Sequence, residues 1–172
     1  APTNTASTEA WNGTNWAEVN ALNTSRGDNG GAGPSASNAL CFGGYGGGPV
    51  GTVSLTESWN GSIWTEVADL TTRRTGSTGT GTNSSALAIG GNSQPPRIAA
   101  TEEWNANIAV SAWVTGGNMN TARGGLGGTG TQTAALAFAG ATPPFTGQTE
   151  SYNGTAWAEI NDMNVGKRYV AG

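Results

Sequence analysis

Four copies of one segment lie along this chain, and a sequence that repeats at a fixed interval folds as an array of equal units. The copies begin at Thr8-Glu9-Ala10-Trp11, Thr56-Glu57-Ser58-Trp59, Thr101-Glu102-Glu103-Trp104 and Thr149-Glu150-Ser151-Tyr152. Their glutamates stand 48, 45 and 48 residues apart, a mean of 47. A second aromatic follows in each: Trp16, Trp64, Trp113 and Trp157. Next come Leu22, Leu70, Met119 or Met163, and then Arg26, Arg74, Arg123 or Lys167. A glycine-rich run leads into Ala39-Leu40-Cys41-Phe42-Gly43-Gly44, Ala86-Leu87-Ala88-Ile89-Gly90-Gly91 and Ala135-Leu136-Ala137-Phe138-Ala139-Gly140.

Each unit reads as four short strands. Asn12-Gly13, Asn60-Gly61 and Asn153-Gly154 separate two alternating runs, which predicts a two-residue type I′ hairpin between the third and fourth strands. In the third unit the two aromatics stand nine apart instead of five, so its turn is longer. The Ala-Leu runs are apolar at consecutive positions, as in a strand covered on both faces. The run before each is almost bare of side chains (Gly76 to Gly81, Gly124 to Gly130). Glycine costs backbone entropy in a strand, so its repeated use there implies that backbones crowd, as at the axis of a radial array. No segment carries a helical period, and 29 glycines would weaken one.

The reading is therefore all-β: β-propeller blades, each a four-stranded antiparallel sheet of about 47 residues. Complete blades are expected at 26–70, 74–119 and 123–163, with a partial blade over 1–22 and the first strand of a further blade at 166–172. Against a fourth full blade, one second strand and its loop would be lacking. Two readings follow: an excerpt from a longer array, or copies that complete one another's open edges, since unpaired edge N–H and C=O groups favour association.

The order of features resembles the kelch repeat: an Arg-bearing first strand (Arg74), a second strand ending in Gly-Gly (Gly90-Gly91), a third strand (Thr101 to Trp104) and a Trp-bearing fourth (Trp113). The text from Gly130 to Phe138, Thr142-Pro143-Pro144 and the run from Glu150 to Trp157 are similar to kelch-like proteins of marine bacteriophages and ocean metagenomes. The resemblance implies a propeller with a binding role in an extracellular or virion, tail-associated setting, and no defined reaction. Ala139-Gly140 in place of Gly-Gly, and Tyr152 in place of Trp, depart from the pattern.

Composition narrows the chemistry. With 7 Lys+Arg against 11 Asp+Glu, the net charge is −4. No basic face is available to neutralise the phosphates of a nucleic acid. The absence of His excludes triads and imidazole metal sites, copper-oxidase chemistry among them. One cysteine makes no internal disulfide. No apolar run approaches the roughly 20 residues of a membrane helix. No metal site and no cofactor are expected, since Asp28, Asp69 and Asp162 stand isolated.

Glu9, Glu57, Glu102 and Glu150 recur once per unit, as do Arg26, Arg74 and Arg123. Catalytic groups occur once per protein, so these residues are expected to hold strands together by charge-assisted hydrogen bonds. Trp16, Trp64, Trp113 and Trp157 recur likewise and are assigned to blade packing. Cys41 takes the slot of Ala88 and Ala137, a small buried residue. The Asn-Gly-Thr/Ser triplets match the glycosylation pattern only because they are turns.

What does not repeat is the connection between second and third strands: 45–51, 92–97 and 141–147. Varied loops on a repeated scaffold build binding surfaces. Tyr45, Arg97 and Phe145 are the candidate contacts, for a glycan or a cell-surface protein. A binding or adhesion module is the leading reading, a purely structural virion component the second, and a glycan-acting enzyme with paired loop carboxylates the third.

Overall fold

A computed structural model describes residues 4–46, 51–94, 96–107 and 111–170. Three four-stranded antiparallel sheets and one hairpin make up the described chain. The hairpin is β1 (Thr8–Trp11) and β2 (Trp16–Val19). The first sheet holds β3 (Gly30–Ser35), β4 (Asn38–Phe42), β5 (Thr56–Trp59) and β6 (Trp64–Val67). The second holds β7 (Thr78–Gly81), β8 (Ser85–Ile89), β9 (Thr101–Asn105) and β10 (Ala112–Thr115). The third holds β11 (Gly127–Thr131), β12 (Ala134–Phe138), β13 (Thr149–Tyr152) and β14 (Trp157–Ile160). Each sheet is a simple meander in chain order.

Strand β8 shows how the sheets stack. Its alternate residues serve two different cores. Ala86 and Ala88 pack with Leu40, Phe42, Trp104 and Trp113 between the first and second sheets. Leu87 and Ile89 pack with Ala135, Ala137, Tyr152 and Trp157 between the second and third. The apolar run is thus covered on both faces, as its sequence implies. At the flank of the array the same pattern opens. Leu136 is 38% exposed, while its equivalents Leu40 and Leu87 are 2% and 0% exposed.

The inner strands β3, β7 and β11 lie against one another. Bonds between successive sheets run from Gly76 N–H to Asp28 O (2.8 Å), Gly125 N–H to Gly76 O (2.8 Å) and Tyr169 N–H to Gly125 O (2.6 Å). All four residues have positive φ, 51°, 60°, 63° and 52° in chain order. Tyr169 therefore takes the place that Asp28, Gly76 and Gly125 hold in the earlier units, although 166–170 forms no strand. Positions 171–172 and 1–3 lie outside the described residues.

The hairpin turns differ from expectation. Asn12, Asn60 and Asn153 do not take positive φ; only the glycine after each does, at 96°, 93° and 90°. Asn12 N–H donates to Asn15 O, so Gly13 and Thr14 are the central pair. Positive φ at the first central residue alone is the type II′ pattern, not I′. The asparagine is held one position earlier because its side chain is engaged: Asn60 Oδ1 accepts from Ser62 and Ile63 N–H, both at 2.9 Å. The longer turn of the third unit includes 108–110, outside the described residues.

Crowding at the inner strands is measurable. A Cβ on Gly79 would stand 2.4 Å from Gly31 O of the neighbouring sheet and 2.4 Å from the Phe42 ring. Gly31 is the equivalent position in the first sheet, and there the nearest atom would be Leu40 O at 3.5 Å. Gly79→Ala should therefore destabilise by about 1–3 kcal/mol through forced backbone shifts. Gly31→Ala should stay within about 0.5 kcal/mol of the parent. Urea denaturation of the two variants checks the contrast.

Candidate ligand-binding site

The repeated charges are scaffold. Arg26, Arg74 and Arg123 are buried and ion-paired with Glu57, Glu102 and Glu150, also buried. Each glutamate also grips the link that enters its sheet. Glu57 Oε2 accepts from Asn23 N and Nδ2 at 2.7 and 2.8 Å. Glu102 Oε2 accepts from Thr71 N and Oγ1, both at 2.7 Å. Glu150 Oε2 accepts from Asn120 N and Nδ2 at 2.6 and 2.9 Å. Burial presses the Arg74 and Arg123 guanidinium groups below their ordinary range, and the paired carboxylates pull the other way. Glu9 departs from the pattern: it is exposed, and among the described residues it pairs with no cation. The equivalents of its partner all come from the link that leads into the first strand of the same sheet, and β1 and β2 occupy only the third and fourth positions.

The tryptophans divide in the same way. Trp113 Nε1 donates to Thr56 Oγ1 at 3.1 Å and Trp157 Nε1 to Thr101 Oγ1 at 3.2 Å, each reaching back to the preceding sheet. Trp64 is half-buried, and its Nε1 is buried with no partner among the described residues. Trp16 is 64% exposed because no preceding sheet lies against it, so it contributes no core packing. Tyr152 OH donates to Glu103 Oε1; burial foremost, and then this carboxylate, push the phenol up to about 12. Cys41 is buried beside Arg26, and burial pushes its thiol up despite that cation. Trp113, 4% exposed, should cost about 3–5 kcal/mol when changed to Ala. Trp16→Ala should cost under about 0.5 kcal/mol. Thermal melts of both variants read the difference.

The varied loops emerge where β4, β8 and β12 end, beside the links that lead into β7, β11 and 166–170. Paired short bridges shape each loop base: Tyr45 with Thr52, Asn92 with Arg97, Ala141 with Phe145. Arg97 and Phe145 are thus equivalent positions, as are Tyr45 and Asn92. Tyr45 and Arg97 belong to adjacent sheets, yet both line one cleft of about 500 Å³ with Thr75, Asn92 and Gln94. Phe145 is not part of that cleft. It is exposed and carries the Arg168 guanidinium 4.9 Å above its ring, with Tyr169 on the other contact at 5.0 Å. Arg168 and Tyr169 went unread in the sequence, because their equivalents are Gly27 and Asp28, Thr75 and Gly76, Gly124 and Gly125. Only the departure from that small or left-handed pattern marks them. Positions 47–50 and 95, parts of the first and second loops, lie outside the described residues.

The cleft offers a phenol, two amides, hydroxyls and one guanidinium. Among the described residues the Arg97 side chain makes no hydrogen bond and no ion pair, and its Nε is buried. Stacked four-stranded sheets with glycine-rich inner strands are β-propeller blades, here with a polar cleft between two of their loops. Among solved structures, the chain is similar to that of YjhT, with a TM-score of 0.74 and 11% identity over 97% of this chain and 68% of that one. At such identity the likeness concerns the fold. No family model and no curated protein sequence matches the chain.

Proposed function

We propose that this chain is a non-enzymatic binding or adhesion module of kelch type, serving an extracellular or virion, tail-associated structure. Its varied loop face recognises a glycan or a cell-surface protein. The observation that carries the reading is the meeting of Tyr45 and Arg97 in one cleft, with Phe145 of the third loop beside Arg168 of the link that follows the third sheet. Aromatic and arginine side chains are the groups that dominate recognition surfaces. The scaffold residues are occupied with one another, which leaves the loops free to serve a ligand. The kelch resemblance in the repeat supports the same reading. A variant carrying Tyr45→Ala, Arg97→Ala and Phe145→Ala should lose about tenfold or more in binding to a glycan array or to intact cells, with its melting temperature kept. Undiminished binding overturns the reading.

A second reading is favoured by the open flanks. Leu136 stands exposed in a position that is buried in both other sheets, and Trp11 and Trp16 are exposed at the opposite flank. A second copy of the chain offers the matching surfaces, because successive sheets already pack through these same positions. Sedimentation velocity should show concentration-dependent association, weakened by Leu136→Glu. A strict monomer at roughly millimolar protein overturns it.

A further inference from the structure

We propose that the cleft between the first and second loops takes an acidic saccharide, with Arg97 holding its carboxylate or sulfate ester and Tyr45 lying against the sugar ring. This deepens the binding-module reading above and rests on it.

The first support is the sorting of charge. The chain is acidic, yet all seven of its Lys and Arg residues fall in the loops and links at one end of the sheets: Arg26, Arg73, Arg74, Arg97, Arg123, Lys167 and Arg168. The turns at the opposite end, 36–37, 82–84 and 132–133, hold no charge. Three of the seven are consumed by buried ion pairs. The other four remain available on the loop face, and Arg97 lines a cleft.

The second support is the state of Arg97. Arg97 is half-buried; its Nε is buried without a partner, and its guanidinium makes no hydrogen bond among the described residues. The planar fork of Arg matches carboxylate or sulfate oxygens two at a time. The asparagine and glutamine amides of Asn92 and Gln94 supply donors and acceptors suited to hydroxyl groups. Tyr45 adds a ring with an apolar face and a polar tip. The volume, about 500 Å³, lies within the range of small-ligand sites. A nucleic acid is disfavoured, since four exposed or half-exposed cations on a chain of net charge −4 make a poor phosphate track.

The carboxylates of this face qualify the site further. Asp69 and Asp162 are engaged, each Oδ1 accepting a strand N–H, from Thr56 and Thr149. Asp28 is exposed, and its backbone carbonyl meets Gly76 N–H and the hydroxyl of Thr75, a residue of the cleft. Its backbone thus touches a cleft residue, and among the described residues its carboxylate makes no hydrogen bond or ion pair, so it is a nearby negative charge that would weaken acidic binding.

The test is titration calorimetry with three oligosaccharides of equal length: a uronic-acid oligomer, a sulfated oligomer and a neutral one. An acidic oligomer should bind about tenfold or more tightly than the neutral one, more weakly as salt rises. Which acidic oligomer wins tells carboxylate from sulfate. Arg97→Gln should abolish that preference without changing the melting temperature, because the side chain bonds nothing in the described protein. Asp28→Asn should strengthen acidic binding about two- to threefold; asparagine tolerates the left-handed backbone there. Equal binding of neutral and acidic oligomers, or acidic binding kept in Arg97→Gln but lost in Phe145→Ala, overturns the site while the loop-face reading stands. Binding of no saccharide together with cell binding unchanged in the triple loop variant overturns both.

Discussion

The fold depends on one buried cation per sheet. Arg74 lies in the link before the first strand, not in the strand itself as its sequence position suggested, and donates to the carbonyls of Gly90 and Ala100, which end the second strand and lead into the third, while its other nitrogen meets Glu102. Arg123 repeats this with Ala139, Gln148 and Glu150. The glutamate in turn holds the N–H groups of the incoming link. Three chain segments, the link, the end of the second strand and the start of the third, are therefore pinned through a single ion pair, in a unit with little apolar volume on its inner strand. Removing one partner would leave a buried charge uncompensated, a loss of about 3–5 kcal/mol. Replacing both with apolar residues would still orphan the link's backbone donors.

That arrangement also explains the glycines after the second strands. Gly43 and Gly90 sit with positive φ against the carbonyls of Arg74 and Arg123, where a Cβ would come within 2.5 and 2.7 Å. The following glycine donates to the same carbonyl from the other side, at 2.8 Å in both cases. Each arginine thus fixes its own sheet with its side chain and the neighbouring sheet with its backbone. Ala139 takes the same left-handed conformation in the third unit, where the next segment is 166–170 in place of a full sheet.

Repeated and varied residues are separated along the chain. Within the three four-stranded sheets the recurring Arg and Glu face inward and satisfy one another, so changing them affects stability first. Residues that do not recur stand at the ends of β4, β8 and β12, where the bridges at the loop base set their positions but not their identities. Side chains can change there without disturbing a core, and the positive charge outside the three buried ion pairs is gathered at the same end of the sheets.

Much of this was legible in the sequence for a physical reason: a local period of two, a repeat near 47 residues and side-chain volume are all one-dimensional properties. They determine that β8 must be covered on both faces, that inner strands must approach closely, and that Arg, Glu and Trp serve the scaffold. The turn centres were misread by one residue, because Asn Oδ1 competes with the backbone for the turn's N–H groups, a contest that spacing does not record. Burial of Trp16 and pairing of Glu9 were misjudged because both depend on a neighbouring sheet, not on the repeat itself. Tyr45 and Arg97 stand 52 residues apart and share no motif, so only the stacking of adjacent sheets brings them into one cleft and sends Phe145 to Arg168 instead. Repetition along the chain decides what each unit is; the angle and contact between units decide which singular residues meet.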